Sequence, residues 1–151
     1  MVRMKIYLDV CCLSRMFDDQ SQDKIRMESE AIAGILKRCT IPNGWILVGG
    51  DIIVLEASKN KEAIKRQKIL WLHNGAKIKT NYNIEIKLRA EYFRTFGVKL
   101  FDSLHMASAE YILANVLLTT DKQFINAAAR SDAKIKVMNP LDFYMEVINH
   151  E

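Results

Sequence analysis

Met4-Lys5-Ile6-Tyr7-Leu8-Asp9 is a short apolar run closed by a carboxylate, and its reading decides the architecture of the chain. A run this short and this apolar predicts a buried strand. The pattern returns in Trp45-Ile46-Leu47-Val48, ended by Gly49-Gly50, and in Val116-Leu117-Leu118-Thr119-Thr120, which closes on Asp121. Lys134-Ile135-Lys136-Val137-Met138 gives a last strand, and Ala76-Lys77-Ile78-Lys79 an extended connection or edge strand.

Helical patterns fill the intervals. Residues 21–39 place Ile25, Ile32, Ile35 and Leu36 on one face. Asp51 is suited to N-cap a helix carrying Ile52, Ile53, Leu55 and Glu56. A basic helix over 61–74 stops at Gly75, an amphipathic one over 83–96 breaks at Gly97, and a third over 101–115 takes Asn115 as its left-handed stop. Residues 123–130 form another helix, and Asn139-Pro140 opens a short C-terminal one. Strands alternating with helices predict an α/β fold whose parallel sheet is covered on both faces. Right-handed crossovers bring the strand C-termini to one edge, so Asp9 and Asp121 meet there.

Four acids, Asp9, Glu56, Asp102 and Asp121, fall where strands end or helices turn, at spacings of 47, 46 and 19 positions. That sheet edge is where open α/β folds keep their ligands. Each acid also has a plain structural reading. Asp9 suits a turn or an N-cap, Glu56 a helix surface, and Asp102 and Asp121 the starts of the helices they precede. Yet Glu56 sits among Ile52, Ile53, Leu55 and Ala57, too apolar a setting for an idle carboxylate. Four independent caps also have no need to converge at one edge. Like charges gathered there raise one another's pKa, and a divalent cation is the natural way to keep them ionised together.

With 151 residues, 50% of them hydrophobic, and two prolines, the chain can bury one substantial core, and a single domain over 1–151 is expected. The start, Met1-Val2-Arg3-Met4-Lys5, leads straight into a strand, so no secretory signal is expected. No apolar run approaches the roughly 20 residues of a membrane span. Cys11, Cys12 and Cys39 are odd in number and suit a reduced, cytoplasmic protein. With no Cys-x-x-Cys pair, and His73, His105 and His150 standing singly, a zinc site lacks its ligand spacing, which favours a hard cation. The net charge of +4 coexists with the acidic cluster, so the remaining surface is basic, with Lys59, Lys61, Lys65, Arg66 and Lys68 crowded together. That segment reads as a solvated helix face or as a contact for a polyanion.

The segments Ile6-Tyr7-Leu8-Asp9-Val10-Cys11-Cys12-Leu13, Ile53-Val54-Leu55-Glu56, Phe101-Asp102-Ser103-Leu104-His105-Met106-Ala107 and Leu118-Thr119-Thr120-Asp121-Lys122-Gln123-Phe124, in this order, resemble a PIN-domain ribonuclease. The resemblance runs from about residue 4 to residue 147, including Asn139-Pro140-Leu141-Asp142-Phe143. It implies a three-layer α/β/α sandwich around a mostly parallel sheet of about five strands. It also implies a homodimer whose acidic cleft holds Mg²⁺ or Mn²⁺ and cuts RNA to 5′-phosphate and 3′-hydroxyl ends. Many such proteins are VapC-like toxins, each blocked by an antitoxin. Position by position, Asp9, Glu56, Asp102 and Asp121 match the catalytic and metal-binding acids, and Thr120 the polar neighbour of the last one. The departure is at Val10 and Cys11, where many members carry Thr or Ser and then Asn.

In that chemistry an ion held by Asp9, Asp102 and Asp121 polarises a phosphodiester oxygen, and Glu56 binds a second ion or orients the water. His105, three positions after Asp102, reads as an imidazole packed under the site, and Cys11 and Cys12 as packing residues. Trp71 and Tyr82 read as core or dimer contacts, with base stacking the functional alternative. Asp18, Asp19, Asp132 and Asp142 look like loop or cap residues, and Glu110 like a helix-surface carboxylate. Two other readings compete: a PIN-like RNA- or protein-binding module without turnover, and a receiver-type phosphoacceptor domain.

Overall fold

The computed structural model describes residues 3–151; the expectation about the first two residues, Met1 and Val2, lies outside the described residues. β1 (Lys5–Leu8) leads into α1 (Val10–Arg15) and α2 (Asp23–Thr40), and β2 (Ile46–Gly50) into α3 (Asp51–Ser58) and α4 (Ala63–His73). β3 (Ile78–Thr80) precedes α5 (Ile84–Arg94) and α6 (Leu100–Tyr111), β4 (Val116–Leu118) precedes α7 (Lys122–Arg130), and β5 (Lys136–Met138) precedes α8 (Pro140–Asn149). The strands form one all-parallel sheet in the order β3-β2-β1-β4-β5. A receiver-type sheet runs 2-1-3-4-5, so this topology speaks against the phosphoacceptor reading.

The central strand β1 and its neighbour β4 are buried. Ile6, Tyr7 and Leu8 of β1 and Val116, Leu117 and Leu118 of β4 are withdrawn from water, as a parallel sheet covered on both faces requires. Ile32 and Ile35 of α2, Ile53 of α3, Phe93 of α5 and Met106 of α6 join the same apolar cluster. Each such side chain contributes about 1.5–3 kcal/mol on burial. Right-handed crossovers carry the helices of the β1–β3 half over one face and those of the β3–β5 half over the other. α2 is backed by α8, and α5 lies along α6.

Several boundaries differ from the sequence expectation, each for a local reason. The helix expected over 101–115 ends at Tyr111. The N–H of Ala114 reaches back to Ala109 O and that of Leu113 to Glu110 O, a Schellman close with Leu113, at φ 58°, as the left-handed residue in place of Asn115. Asn115 instead accepts from the Lys5 N–H at 2.7 Å, fixing the start of β1 against the entry to β4. Asp51 is not a cap but the first residue of α3, whose cap is Gly50; its carboxylate accepts from the Tyr82 N–H at 2.8 Å. The last strand begins at Lys136 because the Lys134 and Ile135 N–H groups donate to Glu110 Oε2. Glu110, read as a surface carboxylate, is also paired with Arg89 at 2.8 Å.

Gly49 and Gly97 have structural reasons for lacking a side chain. A Cβ on Gly49 would stand 2.4 Å from His73 Nε2, and that same nitrogen accepts from the Gly50 N–H at 3.0 Å. Gly97 takes φ 87° between α5 and α6, a conformation that glycine adopts without penalty. No helix among the described residues is long and apolar enough to cross a membrane.

Candidate functional site

The sheet order puts a topological switch between β1 and β4: the chain builds from β1 out to β3 and then returns to the other side for β4 and β5. A crevice opens beyond the C-terminal ends of the strands at such a point. Leu8 pairs with Leu118, and the Asp9 N–H donates to Leu118 O at 3.2 Å, so Asp9 leaves β1 level with Thr119 leaving β4.

Asp9 is the N-cap of α1, with Oδ1 accepting from the Cys12 N–H at 3.0 Å. It is buried, and that burial pushes its carboxyl above the ordinary range. His105 and hydrogen bonds from Thr119 and the Cys12 N–H pull it back. Asp121 N-caps α7, its Oδ1 accepting from the N–H groups of Gln123 at 2.9 Å and Phe124 at 3.3 Å. Both residues therefore fulfil the structural reading. Asp102 does not: it lies in the first turn of α6, where Lys99 is the cap position. Burial first, then the charge of Asp9, with further contributions from Asp121 and Glu56, push its carboxyl from 3.8 up to about 6 despite His105.

Glu56 comes in from α3, half-buried, with Oε1 2.9 Å from Nε2 of His105. His105 is fully buried on α6, and its Nδ1 lies 2.7 Å from the hydroxyl of Tyr7 on β1. The packed imidazole expected under the site is thus a bridge from the sheet to Glu56. Tyr7, itself buried, is held far above its usual pKa by burial and by the charges of Asp9 and Glu56.

Cys11 reports how the acids are arranged. Its thiol is pushed well above the ordinary value by Asp9 first, then by burial, and then by Glu56, Asp121 and Asp102. All four carboxylates therefore act on one point, the start of α1. Cys11 is exposed, contrary to its reading as a packing residue, while Cys12 is buried with Sγ donating to Leu118 O at 3.2 Å. A thiol held protonated this way makes a poor nucleophile.

The donors suit a hard cation, since the four groups offer only carboxylate oxygens. Among the described residues no three His, Cys, Asp or Glu side chains draw together into a ready-made cage. Beside Asp102 a cleft of about 260 Å³ is lined by Gly97, Lys99, Gln123, Asn126 and Arg130, so two cations rim the acidic centre on that side.

Thr119 and Tyr7 were not singled out from the sequence. The hydroxyl of Thr119, fully buried, accepts from the Asp121 N–H at 3.2 Å and bonds to Asp9. Thr120 faces an adjacent groove with Lys24, Glu28 and Asn139. The signal for Tyr7 was present: it lies two residues before Asp9 on the same side of a strand, and a buried phenol needs a partner. Of the basic segment, Lys65 pairs with Asp18 and Arg66 donates to Asn60 O, while Lys59 sits over the Phe101 ring. Trp71 and Tyr82 are exposed rather than core residues.

No family model and no curated protein matches the sequence. Among solved structures, the chain is similar to PAE2754 from Pyrobaculum aerophilum, with a TM-score of 0.55 and 11% identity over 98% of this chain and 91% of that one. It is also similar to VapBC-1 from nontypeable Haemophilus influenzae, with a TM-score of 0.58 and 15% identity over 91% of this chain and 98% of that one. At such identities the likeness is one of fold. With five parallel strands in a layered α/β arrangement and these neighbours along nearly its whole length, the chain has the fold of these two structures, which is the architecture that the PIN-domain resemblance implies.

Proposed function

We propose that the protein is a metal-dependent endoribonuclease, a VapC-like toxin in its cellular role. The observation that carries the reading is the convergence of Asp9, Glu56, Asp102 and Asp121 on the start of α1 at the switch point, with the Asp102 carboxyl pushed up to about 6. A carboxyl held in that state without an opposing charge is a cost to the fold that a bound cation removes. Asp9, Asp102 and Asp121 would hold Mg²⁺ or Mn²⁺, with Glu56 at its edge. When bound, the ion polarises a phosphodiester oxygen and lowers the pKa of an attacking water.

The protein's own groups supply the rest. Thr119 and the Cys12 N–H steady Asp9, and the first turn of α7 steadies Asp121. Lys99 and Arg130 stand where a phosphate backbone would enter. The fold of VapBC-1 supports an antitoxin partner, and exposed Ile84, Leu88 and Tyr92, spaced four apart on α5, support a homodimer. A cytoplasmic location belongs to the same reading.

A second reading, an RNA- or protein-binding module without turnover, is favoured by Val10-Cys11 and by the lack of a ready-made cage. Cleavage of a mixed RNA pool by the wild type and by folded Asp102→Asn, in EDTA, Mg²⁺ and Mn²⁺, separates the two. Metal-dependent cutting lost in the variant is expected. RNA binding without cutting by either protein gives the module reading precedence.

A further inference from the structure

Three side chains form a chain of hydrogen bonds beneath the acidic centre: Tyr7 hydroxyl to His105 Nδ1 at 2.7 Å, and His105 Nε2 to Glu56 Oε1 at 2.9 Å. Tyr7 and His105 are withdrawn from water, and they come from β1 and α6, whereas Glu56 comes from α3. Three elements distant in sequence are thus tied together at the one acid of the four that neither caps a helix nor lies in a first turn.

A neutral imidazole has one donor and one acceptor, and the bond at one nitrogen sets the role of the other. A carboxylate accepts only, so Nε2 carries the hydrogen toward Glu56. Nδ1 is then the acceptor, and the phenol of Tyr7 donates to it. In the neutral ring this tautomer pairs both imidazole nitrogens with Tyr7 and Glu56, whereas the reverse one would set two acceptors, Nε2 and Oε1, against each other. The imidazole is also packed edge-on to the Tyr7 ring, with centroids 5.6 Å apart.

We propose that Tyr7 and His105 are positioning residues: Tyr7 fixes the tautomer of His105, and His105 pins Glu56 by Oε1 so that Oε2 is presented to the metal centre. The proposal rests on the metal-dependent reading above. Such outer partners of a metal-ligating group alter metal affinity by roughly 10–100-fold. A carboxylate without this anchor on a half-buried helix is free to swing into solvent. The cost then falls on metal binding while RNA contacts at Lys99 and Arg130 are untouched.

The test is Mn²⁺ binding by electron paramagnetic resonance titration, without RNA, on folded wild type, Tyr7→Phe, His105→Asn, His105→Gln, Glu56→Gln and Asp102→Asn. Asn reproduces the Nδ1 position only, whereas Gln reaches the Nε2 position and can still donate to Glu56. The expected result is a loss of about tenfold or more in Mn²⁺ affinity for His105→Asn and a smaller loss for Tyr7→Phe. His105→Gln should stay within about threefold of the wild type, and RNA affinity in EDTA should be equal for the wild type and the variants at positions 7 and 105. The proposal is overturned if His105→Asn binds Mn²⁺ as the wild type does while Glu56→Gln and Asp102→Asn do not. It is overturned equally if Asn and Gln at 105 lose affinity alike, which marks a packing role. A wild type that binds no Mn²⁺ overturns the metal reading beneath it as well.

Discussion

Replacing Asp102 by Asn in metal-free protein should make it more stable at neutral pH. The wild-type carboxyl is raised from 3.8 to about 6, chiefly by burial and by Asp9. A shift of about two units corresponds to about 3 kcal/mol. Asp102 is partly open to solvent, and screening reduces the usable effect to about 1–1.5 kcal/mol. The folded state holds this proton more tightly than the unfolded chain does. The associated stability is therefore complete below about pH 4 and is lost as the pH rises through about 6. For a chain of this length, about 1–1.5 kcal/mol corresponds to roughly 3–5 °C in Tm. Differential scanning fluorimetry in EDTA from pH 4 to 8 should show Asp102→Asn melting above the wild type at pH 8, with the gap closing toward pH 4. A variant that melts at or below the wild type at pH 8, or a gap that does not change with pH, refutes the argument that this carboxyl carries a burial and like-charge penalty.

At positions 9 and 121, Asn keeps an oxygen acceptor for the helix start and Ala does not. Asp9→Ala and Asp121→Ala should therefore be about 0.5–2 kcal/mol less stable than their Asn counterparts in urea titrations, whereas Ala and Asn at 102 should be nearly equal. Lys99→Glu with Arg130→Glu should weaken RNA binding in EDTA and flatten its dependence on salt by close to two phosphate contacts, measured by fluorescence anisotropy at several salt concentrations. His73→Leu leaves the buried Gly50 N–H unpaired and should cost about 1–3 kcal/mol at pH 8. Burial lowers the pKa of His73, so its contribution is present above the usual histidine value and lost as the pH falls through the lowered one; the penalty of the variant should shrink in acid.

The fold was largely legible because the strands are short, apolar and punctuated. β1 and β4, expected at 4–9 and 116–120, were located to within two residues, and each led to the acid at its C-terminal end. Local sequence failed where distant groups replaced the expected partner. Asn115 carries a left-handed signal, yet the Lys5 N–H claims its side chain, so Leu113 takes the strained conformation. Residues 134 and 135 have strand character, but Glu110 on α6 binds their N–H groups first. At the candidate site the four acids were visible as a pattern of strand ends and helix starts. Of the buried layer that orients two of them, His105 was read as an imidazole packed under the site, but Tyr7 and Thr119 look like ordinary core residues until the partner from another element is known.

The same arrangement explains why acids of this kind can be kept in so costly a place. Asp9 and Asp121 each bind helix N–H groups, so the local fold depends on an acceptor at those positions whatever ion is present. Glu56 is tied to the core through His105. Only Asp102 lacks a structural bond of this kind among the described residues, and its carboxyl is the one pushed up to about 6. Structural bonds thus hold three of the acids in place, while burial raises the carboxyls of both Asp9 and Asp102, and at Asp102 the charge of Asp9 adds to it. A cation entering the cleft relieves both carboxyls, but of the two only Asp102 can be replaced without also removing a helix-start acceptor, which makes it the cleanest reporter of whether this fold is used as a metal centre.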